Sequence, residues 1–199
     1  MTDWQQQYAT GQTPWERGAP APALVDYLKT NPVTGRVLVP GCGTGQDVRI
    51  LALAGAAEVT GLDVAPMAVE RARRFLAGTP RATVELGDLF VDCHQPPLAG
   101  SFDLVWEHTC YCAIPPARRA EYVEAVAGAL RPGGSLLGVF FLNPWDEDED
   151  QTQGPPFGTG LDDLRTGLET RFDLVKGWRP DVAYQGREGR EWCGLFMKR

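Results

Sequence analysis

The sequence predicts an α/β fold: a single, doubly wound sheet of about seven strands with helices on both faces. Short apolar segments typical of strands alternate with segments whose apolar residues recur at helical spacing. The strand segments are nearly continuous apolar runs, as parallel strands covered on both faces require. The first run also ends in closely spaced glycines and the second in an acid, a pattern found where a sheet binds a nucleotide.

The first half of the chain supplies two strands and three helices. Apolar residues at helical spacing predict a short helix at Ala21–Lys29. Arg36–Pro40 is the first strand, and Gln46–Ala54 is the helix that crosses over to the next one. Glu58–Leu62 is the second strand, and Ala65–Ala77 is the following helix, with Gly78 close behind it as a stop signal.

The second half continues the alternation. Ala82–Leu86 and Ser101–Trp106 are the third and fourth strands, and Ala117–Leu130 is a helix that ends before a Pro-Gly-Gly turn. Ser135–Leu142 is a very apolar fifth strand. The remaining predicted elements are a helix at Leu161–Leu168 and late strands at Phe172–Lys176 and Glu191–Lys198.

No repeat or linker divides the chain, so we expect a single domain over residues 1–199. Residues 1–19 lack a strong period and carry aromatic residues, which predicts an arm lying over the domain. Residues 143–160 are predicted to form a lid on the substrate side. The acidic run Asp146–Asp150 inside it lacks the ligand spacing of a calcium loop, and a solvated run is the simpler interpretation.

Composition narrows the class of partner. The net charge is −7, which disfavours a nucleic-acid backbone or an anionic lipid surface and favours a small molecule. No apolar run is long enough to span a bilayer, and the N-terminal residues do not resemble a secretory signal. Five irregularly spaced cysteines do not suggest a disulfide framework. We therefore expect a cytoplasmic protein with reduced thiols, acting as a monomer.

The two strand ends carry the main functional signal. Val37–Val39 leads into Gly41, Gly43 and Gly45, and the second strand leads into Asp63. Glycines allow the backbone to approach a ligand closely, and an acid about twenty residues on is placed to bind a ribose diol. The pattern predicts an adenosine-containing cofactor. The plainer alternatives are a tight turn for the glycines and a helix cap for the acid.

The glycine spacing favours one cofactor over another. A dinucleotide site needs a third glycine where this chain has Gln46, so a NAD-dependent oxidoreductase is the less favoured class. Three further motifs follow in order: Gly87–Phe90 after the third strand, Phe102–Trp106 in the fourth, and Leu130–Gly134 before the fifth. Together they resemble the class I methyltransferases that use S-adenosylmethionine (SAM) and release S-adenosylhomocysteine (SAH).

The resemblance extends to a narrower family. Three segments carry it: W-Q-Q-Q-Y-A-T-G-Q-T-P-W at Trp4–Trp15, W-E-H-T-C-Y-C-A-I-P-P at Trp106–Pro116, and G-P-P-F at Gly154–Phe157. They are similar to the thiopurine S-methyltransferase family, including its halide and thiol methyltransferase branch. That family implies a Rossmann-like sheet with an arm covering the cofactor. It also implies methyl transfer to a small soft nucleophile, either a thiol, a thiopurine or a halide.

Other functions stay open at this point. The acceptor atom could be an oxygen or nitrogen of a small metabolite or natural product. A protein that binds SAM without catalysis is a further possibility.

The end of the first strand departs from the wider class in a way that supports the narrower family. Val39 stands where most class I methyltransferases carry an acid, and the thiopurine-type family also tends to lack that acid.

The resemblance also implies the site residues. The cofactor-binding set consists of Trp4, Tyr8, Trp15, Gly41, Gly43, Asp63, Asp88, Leu89 and His108. The aromatic residues Trp4, Tyr8 and Trp15 belong to the arm. The resemblance implies that Asp63 contacts the ribose and that Asp88 and Leu89 contact the adenine. Trp15 and Phe157 are the implied contacts on the substrate side.

Glu107 and His108 are the candidate catalytic residues. Both lie at the carboxyl end of the fourth strand, where open parallel sheets bind ligands. Either could remove the proton of an acceptor thiol, since the thiolate is the nucleophile. Glu107 could equally hold the amino group of the cofactor. His108, Cys110 and Cys112 do not match a zinc pattern, so no metal is expected.

Overall fold

The computed structural model describes residues 2–146 and 153–199. Residues 147–152, which include most of the acidic run in the predicted lid, lie outside the described residues. The helices are α1 (Trp4–Thr10), α2 (Pro22–Leu28), α3 (Gln46–Leu53), α4 (Pro66–Phe75), α5 (Leu89–Asp92), α6 (Arg119–Ala129) and α7 (Leu161–Leu168). The strands are β1 (Arg36–Pro40), β2 (Glu58–Asp63), β3 (Ala82–Leu86), β4 (Phe102–His108), β5 (Leu130–Phe141), β6 (Phe172–Trp178) and β7 (Glu191–Lys198).

The strands form one sheet in the order β3-β2-β1-β4-β5-β7-β6. Strands β1 to β5 run parallel, and β7 lies between β5 and β6, antiparallel to both. The chain order reverses beside β1, which is flanked by β2 and β4. This confirms the doubly wound sheet, and it brings the carboxyl ends of β1, β2 and β4 together at one edge.

Helices cover both faces of the sheet. On one face, Tyr122 of α6 and Leu164 of α7 pack with Phe102, Phe140 and Phe196 in one buried cluster. The other face has its own cluster, whose members from the helices are Leu24 of α2, Val48 and Leu51 of α3, and Val69 and Ala72 of α4. The strands are therefore buried on both sides, as their apolar runs predicted.

The arm contains a helix that the sequence analysis did not predict. Asp3 caps α1 by accepting a hydrogen bond from the Gln6 N–H, and Gly11 ends it in a left-handed conformation. The helix lies against α4, where Tyr8 packs on Ala65 and Ala68. Its sequence is mostly polar and only seven residues long, too short for a helical period to stand out.

Several boundaries differ from those predicted. Strand β4 extends to His108, two residues beyond the prediction. Strand β5 begins at Leu130 rather than Ser135, because Leu130 pairs with Phe102 before a shift in register. Helix α5 is new, and Asp88 caps it through the N–H of Phe90 at 2.9 Å.

None of the helices in the described ranges is both long enough and apolar enough to cross a membrane. All five cysteines are free thiols.

The stability of the sheet gives a first prediction. Phe196 is fully buried in β7 against Phe140 and Trp192, whereas its neighbour Met197 is 47% exposed. Phe196→Ala should lower the free energy of unfolding by about 3–5 kcal/mol, because it leaves a cavity between β7 and the covering helices. Met197→Ala, on the opposite face of the same strand, should cost about 1 kcal/mol or less. Urea unfolding measures both, and equal losses would contradict the difference in burial between the two faces of β7 at these residues.

Candidate active site

The glycine loop between β1 and α3 has the backbone conformation that its sequence predicted. Gly41, Gly43 and Gly45 all have positive φ values, of 59°, 53° and 88°. Gly43 is also needed for space, since a Cβ added there would lie 2.3 Å from the Oε1 atom of Glu16. A side chain at this position would displace the carboxylate of Glu16 from the loop.

Asp63 ties the end of β2 to this loop. Its carboxylate accepts hydrogen bonds from the N–H groups of Gly43 and Ala65, each at 2.9 Å. Burial raises the pKa of Asp63, and the two N–H donors partly offset that rise. The same side chain thus bonds both the residue that precedes α4 and the glycine loop.

A cavity of about 670 Å³ opens at this edge of the sheet. Seven of the predicted site residues line it: Trp4, Tyr8, Trp15, Gly41, Asp63, Asp88 and Leu89. Gly43, Glu107, His108 and Phe157 are not on its wall. The volume is in the usual range for a site that holds a small-molecule ligand.

The three aromatic residues of the arm form one group at the cavity. The ring centroids of Trp4 and Trp15 are 5.3 Å apart, and those of Tyr8 and Trp15 are 5.9 Å apart, both in edge-to-face geometry. Trp15 Nε1 donates to the Tyr8 hydroxyl at 3.1 Å, and that hydroxyl donates to Glu16 at 2.6 Å. Their orientation is therefore set by hydrogen bonds as well as by packing.

Glu107 is fully buried behind the cavity. Its carboxylate accepts from the N–H of Tyr111 at 2.8 Å and from the hydroxyl of Tyr122. Burial raises its pKa, with these hydrogen bonds acting in the opposite direction. In this arrangement Glu107 fixes the turn after β4 against α6 and does not face the cavity.

His108 lies on the other side of β4. Its Nδ1 is 2.9 Å from the carboxylate of Asp47, which also accepts from Trp106 Nε1 at 2.9 Å and from the N–H of Ala21 at 2.8 Å. Its ring stacks on Tyr184 at 5.8 Å. Glu107 and His108 are successive strand residues, so their side chains point to opposite faces of the sheet.

The cavity wall also carries a group of mostly apolar residues and a buried cation. The group consists of Cys110, Cys112, Phe141, Pro155 and Pro156. Burial raises the pKa of Cys110 well above its usual value and that of Cys112 to about 12, so both thiols are protonated at neutral pH. Phe157, predicted as a substrate contact, is held behind this wall by its N–H bond to the carbonyl of Cys112 at 2.6 Å.

Arg187 is the cation, and the sequence analysis missed it. Only 8% of the residue is exposed, and its guanidinium lies 4.5 Å from the ring centroid of Phe141. Its Nη1 is 3.6 Å from the Oε1 of Glu191 and has no hydrogen-bond partner in the described ranges. Nothing in the surrounding R-E-G-R-E sequence distinguished this arginine from a solvated one.

Within residues 2–146 and 153–199, no group of three or more His, Cys, Asp or Glu residues is arranged to hold a metal ion.

A family model describes almost the whole chain. The model of thiopurine S-methyltransferase matches residues 1–193. This chain belongs to the thiopurine S-methyltransferase family. The resemblance carried by the arm and the glycine loop is thereby confirmed, and the protein is a SAM-dependent methyltransferase.

Relatives of this family member include plant and bacterial enzymes. It is 32% identical to "Probable thiol methyltransferase 2" of Arabidopsis thaliana, over 98% of this chain and 84% of the relative. It is 31% identical to "Thiocyanate methyltransferase 1" of Brassica oleracea, with the same coverage. A "Thiopurine S-methyltransferase" of Aliivibrio salmonicida is 29% identical over 82% of this chain and 80% of its own.

Solved structures agree on the fold of this family member. One, from work on the conversion of a disulfide bond into a thioacetal group during echinomycin biosynthesis, superposes with a TM-score of 0.75 at 27% identity. That match covers 93% of this chain and 85% of the other. The N-methyltransferase NodS of Bradyrhizobium japonicum, in complex with SAH, gives a TM-score of 0.65 at 15% identity, over 97% and 86% of the two chains.

The Asp47 network of this methyltransferase gives a second prediction. Burial alone would raise the pKa of Asp47, but His108 and the N–H donors of Trp106 and Ala21 outweigh it, and the pKa is lowered. Asp47→Asn should cost about 1.5–3 kcal/mol of folding stability at neutral pH, because hydrogen bonds to a charged acceptor are lost. The pKa of Asp47 in the folded protein lies below the unfolded value of about 4. The difference in unfolding free energy between wild type and Asp47→Asn should therefore persist above pH 5 and shrink as the pH falls below about 4.

Urea unfolding across this pH range tests the prediction. Asp26→Asn, an exposed carboxylate on α2, is the matched control and should show no comparable loss. A difference between Asp47→Asn and wild type that grows toward acidic pH would have the wrong sign.

Proposed function

We propose that this methyltransferase transfers the methyl group of SAM to the sulfur of a small thiol. The observation that carries the proposal is the buried cation Arg187 on the cavity wall, where it lies against the ring of Phe141. A cation in such a place favours the ionised form of a neighbouring thiol, which is the nucleophile. The names of the relatives, which refer to thiol, thiocyanate and thiopurine methyltransferases, support the same acceptor class.

The residues around the cavity fit the cofactor. SAM is a cation at its sulfur, and the arm presents three aromatic rings to the cavity, whose faces attract cations. Asp63 is held at the cavity edge by two backbone donors, which suits an acid that accepts from a ribose. We propose that Asp88 and Leu89, on the same wall, meet the adenine, and that Gly41 and Gly43 let the backbone come close.

Two parts of the cavity wall would then have different roles, one binding the cofactor and the other binding the acceptor. When bound, SAM supplies an activated methyl group. The arm and Asp63 hold the nucleoside, and the wall of Cys110, Cys112 and Phe141 excludes water from the acceptor. Arg187 lowers the pKa of the acceptor thiol and orients its sulfur. The protein contributes mainly position and electrostatics to this one-step displacement.

We assign supporting roles to the two residues first considered as bases. Glu107 holds the turn that carries Cys110 and Cys112, since it accepts from Tyr111. His108 braces the strand end through Asp47 and Tyr184. Neither lies on the cavity wall, so an acceptor that loses its proton to solvent before it is enclosed, and is then held as the thiolate by Arg187, accounts better for the geometry.

The same geometry ranks the other acceptors. The carboxylates on the wall of the described cavity are Asp3, Asp63 and Asp88, which lie with the arm and the cofactor edge. An oxygen or nitrogen acceptor would need a base to remove its proton at the acceptor end. A halide needs none and stays the second candidate within the proposal.

We also propose that the enzyme works as a cytoplasmic monomer without a nucleic-acid partner. The acidic net charge and the five free thiols support this.

An acceptor panel tests the proposed function. Purified protein with SAM should methylate hydrosulfide, aromatic thiols and thiopurines, and methylate iodide if the halide branch applies. Release of SAH is the measurement. Phenols and amines of matched shape should give turnover at least tenfold lower. A preference for those acceptors would overturn the thiol assignment.

Variants of Arg187 test how the thiol is activated. Arg187→Met should lower kcat/KM for an aromatic thiol by about ten- to a hundredfold, as loss of a hydrogen bond or charge contact to an ionised group does. The acidic limb of the pH profile should move to higher pH, because the acceptor thiol loses the cation that lowers its pKa. Arg187→Lys should restore part of the rate. Arg171→Met, an exposed arginine, is the control.

The dissociation constant of SAH shows whether Arg187 acts on the acceptor or on the cofactor. It should change by less than about threefold in Arg187→Met, since this residue is assigned to the acceptor. A large loss of SAH affinity without a change in the pH profile would place Arg187 with the cofactor instead.

A further inference from the structure

Glu16 is an arm residue that belongs to no part of the cavity wall yet contacts the glycine loop. Its carboxylate accepts a hydrogen bond from the N–H of Thr44 at 3.1 Å and another from the Thr44 hydroxyl. The same carboxylate accepts from the Tyr8 hydroxyl at 2.6 Å. One side chain therefore joins the loop to the arm.

The connection continues from Glu16 to the other rings of the arm. Tyr8 accepts from Trp15 Nε1 at 3.1 Å, and Trp15 packs edge-to-face on Trp4. All three rings line the cavity, whereas Glu16 and Thr44 do not. The rings that face the ligand are thus held in place from behind by one carboxylate.

The glycine loop is shaped to receive that carboxylate. Val39 leaves the strand end without an acid of its own, and two carboxylates from elsewhere take successive N–H groups of the loop. Asp63 takes that of Gly43, and Glu16 takes that of Thr44. A Cβ on Gly43 would lie 2.3 Å from Glu16 Oε1 and 3.1 Å from the Tyr8 hydroxyl, so a side chain there would displace the Glu16 carboxylate from its place on the loop.

We propose that Glu16 is a positioning residue for cofactor binding: through Thr44 and Tyr8 it locks the aromatic arm onto the glycine loop and so sets the affinity for SAM and SAH. This inference rests on the proposed function in one respect, that the cavity under the arm holds the cofactor.

Other contacts keep the arm helix in place without Glu16. Gln5 accepts from the N–H of Met67 at 3.0 Å, and Arg71 donates to the carbonyl of Tyr8 at 3.1 Å. These contacts join α1 to α4. Loss of Glu16 should therefore leave α1 docked on α4 but loosen the orientation of the three aromatic rings. Cofactor affinity should fall as a result, while the stability of the fold changes little.

Calorimetric titration with SAH tests the inference at both partners. Glu16→Ala should raise the dissociation constant about ten- to a hundredfold, the range for a lost hydrogen bond to a charged group. Glu16→Gln, which keeps one acceptor, and Thr44→Val, which removes the hydroxyl, should each give a smaller rise. Glu70→Gln, an exposed carboxylate on α4, is the control and should bind like wild type.

Limited proteolysis supplies a second readout that a purely structural role would not move. Arg17 is exposed directly after Glu16, and trypsin cleavage there reports loosening of the arm segment that follows α1. Thr44→Val leaves the arm sequence unchanged, so its cleavage rate is directly comparable with wild type. SAH should slow the cut strongly in wild type and only weakly in Thr44→Val, while the thermal midpoints of the free proteins differ by a few degrees at most.

The outcomes are distinct. Failure of the wild-type protein to bind SAH would contradict the proposed function itself. Wild-type affinity in Glu16→Ala and in Thr44→Val, with wild type binding normally, would overturn the role of Glu16. A large fall in the thermal midpoint of Thr44→Val with unchanged SAH affinity at low temperature would make the contact structural only and would also overturn it.

Discussion

The hydrogen bonds accepted by Asp63 hold together the edge of the sheet where the cavity opens. The register of β1 against β2 places Pro40 beside Leu62, so the loop after one strand and the acid after the other meet at the same edge. The carboxylate then binds the N–H of Gly43 and that of Ala65, fixing both the loop and the start of α4. The shape of the cavity between the glycine loop and α4 depends on these two contacts.

Much of the fold could be predicted because its signals are local. Continuous apolar runs marked the buried parallel strands, and glycine spacing marked the loop that requires positive φ values. The start of β5 could not be predicted, because Pro132–Gly134 looks like a break in the sequence while Leu130 still pairs with Phe102 across a register shift. Such a pairing depends on a distant strand.

Most of the predicted site residues line one cavity, whereas Arg187 on the same wall was not predicted. The arm rings were found through a family pattern, and the structure brings them together around one cavity. Glu107 and His108 were correctly placed at a strand end, but their side chains turn to opposite faces, toward Tyr122 and Asp47. Side-chain direction at a strand end depends on where the strand stops, and β4 runs two residues further than its apolar run indicated. Arg187 gave no sequence signal, because its burial arises only from tertiary packing.

Strand β7 enters the sheet antiparallel, between two strands that precede it in the chain. The segment leading into it carries Arg187, whereas the arm and the first two strand ends supply other parts of the same cavity wall. In the proposed function, acceptor and methyl donor are therefore recognised by separate stretches of the polypeptide. Exchanging the stretch before β7 would then change which molecule is modified and leave the proposed cofactor contacts in place, a modular arrangement that suits both natural diversification and the engineering of new acceptors.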